Sequence, residues 1–301
     1  MIQFGITTLC QLKTANLYSR MGSRRHIDIS LYNQTDDPKL QERVLLNFAG
    51  SSGVYRRTYA HRFDRFDEQI LRSIVSQLSF DPCLVLDVGA SDGRSSLNLY
   101  HSLRGLKLGG FHFTASDPQP RVLIVKRGRL SIAIDSSADV LQIVWPPFVL
   151  GCCGDGYRPI NALVRRALRE PVRRLLNAYL SYECSARTVS LQCPECRAIM
   201  AEHNDFSFIS FDMFEPSKRR YDVIRAMNVL NASYFTTTEI KIAVDNLRSM
   251  LNEGGLLVTG RNTGPGSPVS GSIYQKVGGM MRKLCDADAP SPLRHYLNGG
   301  K

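Results

Sequence analysis

The chain has 301 residues, long enough to bury a full hydrophobic core, and its 43% hydrophobic and 22% charged residues are ordinary for a globular protein. Lysine and arginine outnumber aspartate and glutamate 38 to 27, a net charge of +11, yet no zinc finger, RNP-type aromatic motif or lysine-rich arm accompanies the excess, so nucleic acid is not favoured as a partner. No run of eighteen apolar residues supports a spanning helix, and eight cysteines without regular spacing suit reduced thiols in a cytoplasmic setting.

The chain opens Met1-Ile2-Gln3-Phe4 without a basic head before its short apolar stretch, a poor secretory signal, and Met21 is a second candidate start. Residues 1–60 have weak periodicity and are expected to be an N-terminal extension to a domain spanning 61–301. Phe63, Phe66, Ile70, Ile74 and Leu78 then recur at helical spacing, which predicts a core helix. The strand Leu84-Val85-Leu86 follows and runs into Asp87-Val88-Gly89-Ala90-Ser91-Asp92-Gly93 before a second helical run begins at Arg94. Apolar residues thus reach an acid at the strand's end, and a tight two-glycine turn leads into a helix whose free N–H groups point at the turn. In doubly wound sheets, ligands settle outside the carboxyl ends of strands at such a junction.

The glycine spacing discriminates between ligands. Dinucleotide folds use G-x-G-x-x-G, whereas this turn reads Gly89-x-x-x-Gly93, and no G-x-x-x-x-G-K-[ST] loop occurs. An acid at the strand end repels phosphate and suits a cationic ligand. The segment resembles motif I of the class I S-adenosylmethionine-dependent methyltransferases, [DE]-x-G-x-x-x-G. Ordered matches continue. Gly110 to Asp117 reads as a second strand ending in an acid, 30 residues after Asp87. Phe206 to Asp212 reads as a third. Tyr221 to Leu230, followed by Tyr234-Phe235, is similar to the fourth strand of CheR-type methyltransferases, with two extra residues before the Tyr-Phe pair. Thr236 to Glu239 makes a capping box, with Ile240, Val244, Leu247 and Leu251 on one helical face, Asn252 to Gly255 ending the helix, and Leu256 to Thr259 as a fifth strand.

This resemblance covers roughly residues 63–285. It implies an α/β fold with a Rossmann-like seven-stranded sheet, mostly parallel, helices on both faces and an antiparallel final strand drawn from Ser272 to Leu284. It implies S-adenosyl-L-methionine as cofactor, held by Asp87, Gly89, Ala90, Ser91, Gly93, Asp117, Asp212, Met213, Ala226 and Asn228, with Asp117 on the ribose hydroxyls and Asp212 near the adenine. It also implies that Tyr55 to Tyr59 could close over that cofactor.

Residues 119–187 lie outside the resemblance and are expected to be an insertion. Arg121 to Val125 and Leu130 to Ile134 predict a hairpin with a basic turn, followed by Gln142 to Leu150 with the only tryptophan, Trp145. A helix from about Pro159 to Tyr182 carries Arg165, Arg166, Arg169, Arg173 and Arg174. It reads either as a solvated amphipathic helix or as a substrate lid attracting an anionic substrate, acidic protein or lipid surface. Cys193-Pro194-Glu195-Cys196 has half the spacing of a zinc site, but lacks a convincing second half; a strand at Thr188 to Gln192 and a helix from Pro194 make it a strand-helix joint, and no metal is expected. If that strand were the second of the main sheet, the ribose contact would fall near Cys193 or Glu195 and Asp117 would belong to an inserted hairpin. Both placements are open at this level.

Methyl transfer from an activated donor needs alignment more than a base, and the sequence identifies no catalytic residue; His112, His203, Tyr234 and Asp222 are available. The expected activity is methyl transfer to an O, N or carboxylate nucleophile of a small-molecule or protein substrate. The alternatives are an inactive cofactor-binding protein of the same fold and an NAD-dependent enzyme.

Overall fold

The structure is a computed structural model that describes residues 26–51, 53–56, 59–77, 81–106, 110–152, 159–264 and 266–297. The amino-terminal start, Met21, Leu78, and Arg57 and Thr58 of the expected closing segment lie outside the described residues. The described residues of Thr58–Pro120 and Gln192–Lys301 form one compact unit, and those of Met1–Arg57 and Arg121–Leu191 form another.

The first unit is built on a seven-stranded sheet. Its parallel part comprises β1 (Cys83–Val88), β2 (Phe111–Asp117), β8 (Phe206–Ser210), β9 (Tyr221–Met227) and β10 (Leu251–Arg261), in the spatial order β8-β2-β1-β9-β10. The chain moves outward from β1 through β2 to β8 on one side, and through β9 to β10 on the other. It therefore reverses direction between β1 and β9, which is where an open α/β sheet leaves its crevice. Beyond β10 lie β11 (Ser270–Val277) and β12 (Met280–Asp286). The expected antiparallel final strand needs correction: β11 is antiparallel to both neighbours, and the last strand, β12, turns back to run with the parallel set. Gly278 and Gly279, at φ +59° and +76°, supply the two left-handed residues that a tight hairpin turn of this hand requires.

Alternation along the strands sorts the helices. Val85, Phe113, Ala115 and Val223 face α2 (Asp64–Gln77), α3 (Arg94–Gly105) and α5 (Pro194–Glu202), through Phe66, Ile70, Leu99, Tyr100 and Cys196. Leu86, Val88, Ile224 and Leu257 face α6 (Thr237–Met250), through Ile240, Val244 and Leu247. The Thr236–Glu239 capping box is present as expected. Asn252 to Gly255 do not end that helix: α6 stops at Met250, Leu251 already pairs with Tyr221, and the register slips between Leu251 and Leu256. Gly254 at φ +80° and the Asn252 amide on Asp222 Oδ1 (2.7 Å) hold this irregularity inside the strand.

The second unit carries an antiparallel sheet ordered β6-β5-β4-β3-β7, with β3 (Arg121–Arg127), β4 (Leu130–Ile134), β5 (Val140–Trp145), β6 (Phe148–Gly151) and β7 (Ala186–Ser190). Val122, Ile124, Leu141 and Val189 pack on Tyr32 and on Val44 and Leu45 of α1 (Pro38–Leu46). Val125, Ile132, Ile134 and Ile143 pack on Leu168 and Leu175 of α4 (Pro159–Leu180), which retains Pro171 in its interior. Because β7 pairs with β3, it is not the strand beside β1; β2 is. The alternative that put Asp117 in an inserted hairpin is thereby excluded.

Candidate functional site at the carboxyl rim of the parallel strands

The turn after β1 is held by its own neighbours. Ala90 N–H donates to Ser116 O (2.8 Å), Ser91 N–H to Asp117 Oδ2 (3.1 Å), Gly93 N–H to Ala90 O (2.9 Å) and Arg94 N–H to Asp92 Oδ1 (3.2 Å). Asp92 O in turn accepts from Cys193 N–H (2.8 Å). Gly89 and Gly93, at φ +70° and +88°, are glycines for a reason the sequence did not reveal. A Cβ on Gly89 would run into Val229, and one on Gly93 into Cys196 Sγ. The space they leave is filled by the protein, not reserved for a ligand. Ser91 also adopts positive φ, +60°.

Asp117 ends β2 beside this turn. Its Oδ2 accepts from Ser91 N–H and its Oδ1 from Gln119 N–H (2.9 Å), so the buried carboxylate ties the two strand ends together. Asp212 lies two residues past β8, where Oδ1 accepts from Phe214 N–H (2.9 Å). On the other side of β1, Asn228, at φ +61°, follows β9 and exchanges hydrogen bonds with Asn262 after β10: Asn262 N–H to Asn228 Oδ1 (2.8 Å) and Asn228 Nδ2 to Asn262 Oδ1 (3.2 Å). Arg62 donates to the same Asn262 through Nε (2.6 Å). The turn from Gly89 to Gly93, Asp117, Asp212 and Asn228 thus share one rim. Met213 and Ala226 are buried in the cluster packed on α6.

Asp87 sits one layer beneath. Its carboxylate is fully enclosed: Oδ2 accepts from Ser96 Oγ (2.6 Å) on α3 and from Arg225 Nη1 (3.0 Å) on β9. Arg225 also pairs with Asp67 of α2 (3.2 Å) and lies over the Phe63 ring at 5.1 Å. Burial raises both carboxyls, Asp67 to about 7 against an ordinary 3.8, despite the opposing pull of Arg225. One guanidinium between two enclosed carboxylates leaves a surplus negative charge that a proton relieves. Sequence reasoning passed over Arg225 and Asp67, although an arginine inside the apolar run Tyr221 to Met227 is the visible sign of a buried ion pair. The Arg62–Asn262 link, across 200 residues, has no local signal.

Of the proton acceptors considered from sequence, His112 and Asp222 lie near the amino ends of β2 and β9, and His203 follows α5 against Arg104, all away from the rim. Tyr234, in the loop after β9, is on the rim side and 41% exposed. Cys193 caps α5, accepting from Cys196 N–H (3.4 Å); both thiols are enclosed, and the side-chain hydrogen bond with Cys193, reinforced by burial, pushes Cys196 well up from its ordinary range.

No protein-family model matches the chain, and no curated protein does. Solved structures with a similar arrangement include the CurJ carbon methyltransferase (14% identity, TM-score 0.34, 66% of this chain and 34% of that one). The magnesium protoporphyrin IX methyltransferase ChlM from Synechocystis with bound SAM is another (12%, 0.34, 84% and 76%). A third is an S-adenosylmethionine-dependent methyltransferase from Clostridium acetobutylicum (11%, 0.35, 78% and 78%). The chain spans about a third of the CurJ chain, and 54% and 60% of two further methyltransferase chains. At these scores the likeness is one of general α/β arrangement and says nothing of chemistry.

Proposed function

We propose that this chain binds S-adenosyl-L-methionine at the rim around Gly89–Gly93 and transfers its methyl group to an O, N or carboxylate nucleophile of a small-molecule or protein substrate. The observation that carries the reading is the carboxylate of Asp117 at the end of β2, joined to the motif I turn at the point where the strand order reverses. The residues fit a cationic ligand better than a pyrophosphate. Four amides of the turn are already engaged by protein acceptors, and Asp117 and Asp212 give the rim a negative character. This speaks against the NAD-dependent alternative.

The bound sulfonium supplies an already activated methyl group. The chain's own work is to hold the donor and acceptor in line and to exclude water. Asp117 would orient the ribose, Asp212 the adenine side, and Asn228, fixed by Asn262, the far wall of the crevice. Asp87 would act without touching the ligand, by fixing Ser96 and hence the start of α3 under the turn. Tyr234 is the rim group able to accept or relay a proton from a hydroxyl or amine acceptor. The similarity of the fourth strand to CheR-type enzymes favours a carboxylate acceptor, which needs no base. A cytoplasmic setting accords with reduced thiols such as the buried Cys83, Cys193 and Cys196, and among the described residues no helix is long and apolar enough to cross a membrane.

Calorimetric titration of the purified chain with S-adenosylmethionine, S-adenosylhomocysteine and NAD tests the reading. Binding of the first two and not of NAD is expected. Binding of NAD alone, or of none, overturns it, and binding without transfer to any acceptor would leave the inactive-fold alternative.

A further inference from the structure

We propose that one end of the five-stranded sheet docks on an anionic lipid surface. Pairing brings two turns to that end. Arg127 and Leu130 close the β3–β4 turn around Gly128-Arg129, and Trp145 and Phe148 close the β5–β6 turn around Pro146-Pro147. Ser131 pairs with Val144, so β4 and β5 are neighbours and the turns lie about 10 Å apart, two strand spacings. Tyr182 precedes by four residues Ala186, which pairs with Val125 next to the first turn. Lys126, Arg127 and Arg129 are exposed there, with Trp145 42%, Leu180 54% and Tyr182 96% exposed, the last at φ +59°. Among the described residues Glu183 is the acid at this end; Asp135 and Asp139 belong to the β4–β5 turn at the other.

Charge complementarity selects the occupant. Residues 121–191 carry eleven Lys and Arg against five Asp and Glu, +6 of the chain's +11. On α4, Arg173 and Arg174 are bonded to Glu170 (3.0 and 3.2 Å) and Arg165 to Gly151 O, so part of the helix charge is answered internally. The turn cations have apolar and aromatic side chains among them instead. Tryptophan and tyrosine beside lysine and arginine are the residues that settle at a lipid headgroup layer, each cation adding about a fivefold gain in affinity. Pro146 and Pro147 bring no N–H donors that the layer would leave unsatisfied. Single-stranded nucleic acid is the weaker match, because binding it needs a row of open aromatic faces along a basic groove, whereas here Trp145 and Phe148 lie side by side in one turn, their rings at 13° with centroids 6.2 Å apart.

Trp145 is the only tryptophan, so its emission reports directly on this end. The full chain is titrated with vesicles of phosphatidylcholine alone and of phosphatidylcholine with phosphatidylserine. Expected are sedimentation and a blue shift with the mixed vesicles only, lost on raising salt. The triple variant Lys126→Ala, Arg127→Ala, Arg129→Ala should bind about a hundredfold more weakly, and Tyr182→Ala several-fold, with circular dichroism unchanged. Absence of a blue shift, equal loss in Arg166→Ala with Arg169→Ala on α4, or Trp145 quenching by a single-stranded oligonucleotide but not by vesicles would each overturn the proposal. None of these readouts depends on cofactor binding or methyl transfer.

Discussion

Asp87 and Arg225 are register partners on the adjacent parallel strands β1 and β9, and their side chains close a 3.0 Å ion pair with both groups enclosed. Removing the cation strands two buried carboxylates, a change that typically costs about 3–5 kcal/mol. Arg225→Met is expected to destabilise the fold by this amount at pH 8 and by less at pH 5, where the acids take up protons. Urea denaturation at the two pH values checks it. Asp87→Asn combined with Arg225→Met should cost less than the two single changes added together.

Asp67 gives the fold a pH dependence of known sign. Its folded value, about 7, lies above the ordinary 3.8, so the native state holds a proton that the unfolded chain has released. The associated stability is complete below about pH 4 and is lost as pH rises through 7. Asp67→Asn mimics the protonated form at every pH. The stability of the wild type relative to this variant should fall between pH 4 and 7, by on the order of a few kcal/mol. A difference that stays flat across that range would contradict the assignment.

Gly89 answers to Val229. The space beyond Gly89 belongs to Val229, and φ is +70°. Gly89→Ala should therefore destabilise the protein itself, by about 1–3 kcal/mol from strain and overlap together. Val229→Ala in the same chain should recover the overlap part and leave the strain. Thermal unfolding of the single and double variants measures the split.

Asp117→Asn should weaken S-adenosylmethionine binding tenfold to a hundredfold, the loss of about 1.5–3 kcal/mol in charge-assisted hydrogen bonds. Cys193→Ser and Glu195→Gln should leave the calorimetric affinity nearly unchanged. The reverse ranking would move ribose binding to the start of α5.

Elements with local signals were legible: the Phe63 to Ile74 stripe, the basic hairpin, the capping box, and the strand-turn-helix at Asp87. The open question of which strand lies beside β1, and the mistaken expectation that the last strand runs antiparallel, both depend on pairing between distant segments, and periodicity carries no information on partners. The glycines at 89 and 93 were legible as turn residues, but their steric partners, Val229 and Cys196, come from far along the chain. Asp87 was legible as an acid ending a strand. That its charge is spent on Arg225, beneath the rim, required the β1–β9 register.

The strands β2 and β8 are adjacent, with Asp117 opposite Ser210, although 88 residues separate the end of one from the start of the other. The segment between them begins and ends in a pairing of its own, Arg121 with Ser190. Once β3 and β7 have met, the chain leaving β2 and the chain returning toward α5 start from neighbouring points. The remaining gap to be closed is then about twenty residues rather than the full separation, and its entropic toll shrinks accordingly. The inserted sheet would thus hasten assembly of its host: a chain in which the β3–β7 pairing is slow should complete the β2–β8 edge last.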